Sequence, residues 1–162
     1  MLLSLSLGNS QINSQETNEE SNLLKRNELQ EQFLNLFDQE RYEESIAIAT
    51  SIVDLTEKTY GSENYKLITP LNNLASAFYM IDDFDQSKLI FQRCIKLIEA
   101  NQNIISPELI SPLYGFGLTL NRFEEYDEAV NIFERALRIN HVNAGFYNLE
   151  QLKIHDSLTE SF

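Results

Sequence analysis

From Leu71 onward apolar residues recur at i, i+3, i+4 and i+7, as Leu71, Leu74, Ala75 and Phe78. That spacing covers one face of an α-helix. After the short acidic turn at Asp82 and Asp83 a second helical set follows: Phe84, Ser87, Phe91, Cys94 and Ile95. Two amphipathic helices joined by so short a turn predict a helical hairpin.

The whole pattern then returns at an offset of 42 residues, where DDFDQSKLIFQRCIKLI (Asp82 to Ile98) realigns with EEYDEAVNIFERALRIN (Glu124 to Asn140). Leu113, Phe116, Gly117 and Leu120 take the first-helix places, and Tyr126, Ala129, Phe133, Ala136 and Leu137 the second-helix places. A weaker copy comes earlier, with Leu29, Phe33 and Leu36 on one helix and Tyr42, Ser45, Ala49, Ile52 and Val53 on the other. A repeat of this length predicts an all-α solenoid of antiparallel hairpins, with the first copy capping the array and a binding surface rather than an active site as its product. Small residues at Ala75 and Ala129 let two helices cross closely, so enlarging either is expected to be costly.

The copies run over about 29–70, 71–112 and 113–154 within an array spanning 23–162. A fourth begins, since one more step carries Phe116, Gly117 and Leu120 onto Leu158, Thr159 and Phe162. Stopping in mid-hairpin leads us to expect either a longer polypeptide or pairing with another chain through the open copy. The linkers repeat too, as LITPL (Leu67 to Leu71) and LISPL (Leu109 to Leu113). Each proline fits the first turn of a helix or a kink within a longer one, and the kink is favoured because Pro107 and the YGSEN stretch look like earlier starts. Gly61 is expected to end the preceding helix in a left-handed conformation.

Residues 1–22 combine a short leucine-rich run, Met1 to Leu7, with a polar tract, Asn9 to Asn22. No basic residue precedes the run, so it reads either as a truncated export signal or as a disordered tail, outside the fold in both cases. The first reading implies a periplasmic or secreted protein, the second a cytoplasmic one.

Composition narrows the partners. The chain carries 12 Lys and Arg against 25 Asp and Glu, a formal charge of −13, which repels phosphate backbones and excludes nucleic acid as a partner. No run reaches the ~20 apolar residues of a membrane helix, so membrane insertion is excluded as well. Enzyme chemistry finds little to work with. His141 and His155 stand 14 residues apart, too far for a close helical metal pair, and no glycine-rich phosphate loop occurs. The single cysteine, Cys94, recurs as Ala136 in the next copy, the mark of a small core residue. No cofactor is expected.

Read as glycine stop, linker, LNNLA helix, acidic turn, aromatic and second helix, TYGSENYKLITPLNNLASAFYMIDDFDQSKLIFQRCIKLI resembles a tetratricopeptide repeat. The 42-residue period resembles the longer variety typified by kinesin light chains, and GFYNLEQ, Gly145 to Gln151, resembles a segment of bacterial proteins of this class, many of them exported. Ser45 and Ser87 stand where the family has alanine, and Gln32 where it has a large apolar residue. The resemblance implies a right-handed superhelical solenoid and a non-enzymatic scaffold that binds a peptide or partner protein in its concave groove. The alternative is an oligomerisation or docking module acting through the open carboxy-terminal copy.

In such a solenoid the first helices line the groove. With 71, 74, 75 and 78 in the core, Asn72, Asn73, Ser76, Tyr79 and Met80 turn toward the concave side. Their counterparts are Tyr114, Gly115, Leu118, Asn121 and Arg122 in the next copy, and Gln30, Glu31, Leu34, Phe37 and Asp38 in the first. The resemblance implies that Asn73 grips a peptide backbone through its carboxamide; the alternative is a solvated face. Arg122 suits a bidentate carboxylate or an internal pair with Glu124 or Glu125. Tyr79, Met80 and Tyr114 suit an interface or packing between hairpins, and the acidic turns a basic partner or a solvated edge.

Overall fold

The computed structural model describes residues 3–144 and 149–161, with side chains from residue 19 onward except those of residues 149, 150 and 152. Seven α-helices follow one another among them: α1 (Leu3–Asp38), α2 (Tyr42–Tyr60), α3 (Ile68–Met80), α4 (Phe84–Asn101), α5 (Ile110–Arg122), α6 (Tyr126–Ala144) and α7 (Leu149–Thr159). Gly145 to Asn148, the start of GFYNLEQ, and Phe162 lie outside the described residues, as do Met1 and Leu2. Hairpins α1/α2, α3/α4 and α5/α6 stack through α2 on α3 and α4 on α5, and α7 continues the series on α6. The first helices α3 and α5 also meet directly.

One turn closes every hairpin. Arg41, Asp83 and Glu125 donate their backbone N–H to the carbonyls of Leu36, Phe78 and Leu120 at 2.9, 3.0 and 3.0 Å. The residue before each, Glu40, Asp82 and Glu124, has a φ of 59, 62 and 60°. This is the left-handed helix stop that usually selects glycine, here held by a non-glycine residue in each copy. The acidic turns therefore have local roles: Asp83 also accepts from the Gln86 N–H at 3.2 Å and caps α4.

Most of the expected core positions are buried, while Leu36, Tyr42, Phe78 and Phe84 are half-buried. Leu71, Ala75, Phe91, Cys94, Leu113, Leu120, Ala129, Phe133 and Ala136 are all at most 2 % exposed. Ser45 and Ser87 share the place of Ala129 and are fully buried. Each hydroxyl is satisfied, Ser45 by the Tyr42 carbonyl at 2.8 Å and Ser87 by the Thr119 hydroxyl at 3.2 Å. The aromatic rings take the space the small residues leave. A Cβ on Gly117 would lie 2.6 Å from the Phe133 ring, and one on Gly115 would lie 2.2 Å from Phe91 Cζ. Tyr126, expected in the core, is 44 % exposed. Its counterpart Phe84 is covered by Phe123 and Arg122 of the following copy.

A second set of bonds joins copy to copy and repeats with the same period. Arg93 of α4 pairs with Glu57 of α2 and donates to the Ser62 carbonyl at 3.3 Å. One copy later Arg135 of α6 pairs with Glu99 of α4 and donates to the Ile104 carbonyl at 3.4 Å. Asn101 and Asn143 likewise donate to the carbonyls of Glu63 and Ile105, both at 3.0 Å. The first copy carries Ser51 and Thr59 at these places.

Three local expectations need amendment. Pro70 and Pro112 lie in the first turn of α3 and α5, where the missing N–H leaves no bond unmade, and not at a kink. The earlier start signals open separate 3-10 turns instead, Tyr65–Leu67 after Asn64 and Pro107–Leu109 after Ser106. Gly61 ends α2 at φ 90 and ψ 159, a positive φ but an extended ψ, because the chain must leave the helix outright to reach the Tyr65 turn. Finally, the helical backbone of α1 runs back to Leu3, into the segment expected outside the fold, with no proline to interrupt it. Asn22 donates to Thr59 of α2 at 3.3 Å.

Two substitutions test these contacts in urea melts. Gly115→Ala should destabilise by about 1–3 kcal/mol through collision with Phe91, and Phe91→Leu in the same chain should recover part of that loss. Asp82→Gly should stabilise by up to about 1 kcal/mol, since relief of the left-handed strain exceeds the added entropy of the unfolded chain.

Candidate functional site

On α3, Thr69, Asn73, Ser76 and Met80 stand at i, i+4, i+7 and i+11 and form one stripe; Asn72 and Tyr79 flank it on the side of α5. On α5 the matching stripe is Ser111, Gly115, Leu118 and Arg122, flanked by Tyr114 and Asn121. The flanking residues are engaged by the next first helix. Ser111 donates to Asn72 Oδ1 at 3.4 Å, and Arg122 lies 6.0 Å from the centroid of the Tyr79 ring. Tyr114 and Ser157 share a hydroxyl bond at 3.1 Å, and Ser161 donates to Asn121 Oδ1 at 2.9 Å. These four, with Leu118 packed against the core, join the first helices to one another.

Of the stripe residues, Thr69, Met80, Ser111 and Arg122 are exposed. Asn73 is half-buried and its carboxamide takes no protein hydrogen bond among the described residues, so its donor and its acceptor are both unspent there. Ser76 spends its proton on the Asn72 carbonyl at 2.9 Å, and Met80 is 43 % exposed. Arg122 stacks over Phe84, at 5.4 Å from the centroid, and pairs with neither Glu124 nor Glu125. Glu125 is held by Lys88 at 2.7 Å. Gly115 lies under Phe91 and offers no side chain to a ligand.

A pocket of about 330 Å³ opens where α1 meets α3, lined by Arg26, Gln30, Lys66, Thr69 and the buried Ile52. Gln30 and Thr69 hold the same register as Asn72 and Ser111, so this pocket continues the first-helix face toward the first copy. Both cations lie on the ring of Tyr60, Lys66 Nζ at 3.7 Å and Arg26 Cζ at 5.8 Å from its centroid. Neither is paired with a carboxylate among the described residues. In a chain of charge −13 this is a local island of positive potential. Register alone identifies Gln30 in the sequence. The meeting of Arg26 with Lys66 depends on the path from Gly61 to Leu67, which no periodicity encodes.

Among the described residues no three His, Cys, Asp or Glu side chains converge as metal ligands, and no helix is long and apolar enough to cross a membrane.

Family models described as tetratricopeptide repeat match residues 34–100 and 110–142. The chain is similar to a solved structure from Podosopora anserina with nearly identical TPR-like repeats, named for kinesin light chain, at 13 % identity and a TM-score of 0.75 over 83 % of this chain. It spans 64 % of that structure's length. It is similar also to the TPR2B domain of yeast Sti1, solved as a pHsp70 complex, at 12 % identity and a TM-score of 0.67 over 85 % of this chain and 96 % of that one. A TPR-like protein of Chlorobium tepidum gives 11 % identity and 0.70 over 87 and 94 %. Identities this low carry the fold alone. No curated protein matches the chain.

Cys94 is withdrawn from chemistry by its surroundings. Its thiol is fully buried and donates to the Ile68 carbonyl at 3.4 Å. Burial, helped by the Glu108 carboxylate, pushes it up to about 12. Iodoacetamide at pH 8 should therefore leave the native protein unlabelled and modify Cys94 fully in denaturant. An unfolded thiol ionises above about 9 while the native one keeps its proton, so this contribution to stability is whole below that pH and fades as pH rises toward 12.

Proposed function

We propose, from the premise that this chain belongs to the tetratricopeptide-repeat family, that it is a non-enzymatic scaffold whose first-helix face holds an extended acidic peptide of a partner protein. The observation that carries this reading is Arg26 and Lys66, which pair with no carboxylate among the described residues, at one end of a face whose middle carries the unbonded carboxamide of Asn73. The two cations attract and anchor a carboxylate, and Tyr60 beneath them keeps both heads together. Asn73 then pairs with the peptide backbone irrespective of sequence, and Met80 with the Arg122 and Tyr79 stack supplies an adaptable apolar end. The similar Sti1 domain, a complex with pHsp70, supports peptide binding on this architecture. Tyr114, Asn121, Asn72 and Leu118 act one step back, by fixing the spacing of the helices that present the face.

Selection from a random peptide library is the direct test. Enriched sequences should be rich in Asp and Glu, and Arg26→Glu with Lys66→Glu should abolish the enrichment. Asn73→Ala should weaken a selected peptide about tenfold, the loss of roughly one buried hydrogen-bonded partner. Enrichment of basic sequences, or affinity unmoved by both changes, would refute the reading.

A further inference from the structure

Five polar side chains line the pocket between α1 and α3: Arg26, Asn27 and Gln30 from α1, Lys66 from the Tyr65–Leu67 turn, and Thr69 from α3. Among the described residues, no side-chain donor of these five is bonded to the protein. Hydroxyls on the neighbouring helices are ordinarily occupied, since Thr50, Ser51, Thr56, Ser76 and Thr119 each donate to the carbonyl four residues back. For Thr69 that carbonyl is Tyr65's, and the Ile68 N–H already takes it.

The repeat supplies a control. By register Gln30, Tyr60, Lys66 and Thr69 become Asn72, Gln102, Glu108 and Ser111, and Arg26 becomes the buried Ile68. At that second junction the polar groups satisfy one another, as Ser111 donates to Asn72 at 3.4 Å and Gln102 to Glu108 at 2.7 Å. The same place is thus closed by internal bonds with no cation at all. At the first junction it stays open. Arg26 and Lys66 are both half-buried beside the ring of Tyr60 and have no carboxylate partner among the described residues, although Asp and Glu outnumber Lys and Arg by 25 to 12. Two partly desolvated like charges on one ring repel each other, and an anion brought by a ligand relieves both.

The count of charges and donors selects among anions. A carboxylate has one charge and two oxygens, which the planar fork of Arg26 satisfies alone in a bidentate pair. Lys66, Thr69 and the carboxamides of Asn27 and Gln30 would then have nothing to hold. A phosphomonoester carries about −1.5 to −2 at neutral pH and three acceptor oxygens, enough for both cations and for the neutral donors around them.

We infer that this pocket recognises a phosphorylated residue of the partner segment, with the phosphate bridging Arg26 and Lys66 and its remaining acceptors met by Thr69 and Gln30. The inference rests on the reading of the first-helix face given above, and adds to it the class of residue that anchors the peptide. A formal charge of −13 repels strands that carry many phosphates, so a single phosphate on a peptide is the fitting source.

The probes are three synthetic peptide pools of one length, with random flanks and serine, glutamate or phosphoserine fixed at the centre, passed over the immobilised full chain. The phosphoserine pool should be retained about tenfold over the glutamate pool, with the serine pool retained least. Lys66→Gln should narrow that preference to within about twofold, Lys66→Arg should keep it, and Thr69→Val should weaken the phosphoserine pool more than the glutamate pool. Inorganic phosphate titrated alone should bind at least about tenfold more weakly than the phosphoserine pool. The pool comparison and the phosphate titration both use the parent chain, so the test survives a variant that folds poorly. Equal retention of the phosphoserine and glutamate pools overturns this inference and leaves the reading of the face standing, whereas retention of no pool overturns both. Inorganic phosphate that binds as tightly as the phosphoserine pool also overturns the inference, for then the occupant is a free anion.

Discussion

The ring of Phe91 lies against α5 because residue 115 has no Cβ, and Phe133 meets the same helix through the bare backbone of Gly117. Helices that approach this closely exclude water and bury rings on both of their faces, and the remaining contacts follow from that approach. It brings Ser87 within reach of Thr119 and sets the first helices near enough for Tyr114 to meet Ser157. The Arg–Glu pairs between copies are of another kind. They are partly exposed and each contributes at most about 1 kcal/mol, so they guide alignment more than they hold weight.

Much of this was legible from periodicity. Apolar spacing located both helices of each hairpin, and alignment between copies placed Ala75, Cys94 and Ala129 in the core, where they are fully buried. The same logic was coarser on the first-helix face. It turned every position between the core residues outward, yet a flank that looks outward on one helix meets the next helix in a curved stack. Tyr114, Asn121 and Asn72 fall in that flank, and Met80 does not. Gly115 was misplaced for a related reason: its neighbour is a side chain from another copy, which no single-helix pattern contains. The basic pocket was hidden because Lys66 follows a glycine of unusual ψ, and a loop of that kind carries no period.

Charge is organised more finely than its total suggests. An excess of carboxylates covers the molecule, so each exposed cation is conspicuous, and several are held internally. Lys88, Arg93 and Arg135 bind carboxylates of adjoining copies, and Arg122 lies on aromatic rings. Arg26 and Lys66 stand apart from that internal use, together on the ring of Tyr60 and with no carboxylate partner among the described residues. A ligand with negative charge is repelled by the general surface and accepted at these places, so the acidic background sharpens the contrast on which selectivity depends.

The two seams between copies share one ladder of arginine, glutamate and asparagine, but their volumes differ. By register Ala49 faces the place of Asn73 at the first seam, and Phe91 faces Gly115 at the second. Exchange of the copies would drive a ring into an asparagine at one junction and leave an alanine over a void at the other. Sequence repetition therefore does not make the hairpins interchangeable parts: each fits one neighbour, and the molecule carries the order of its own segments as a set of matched shapes.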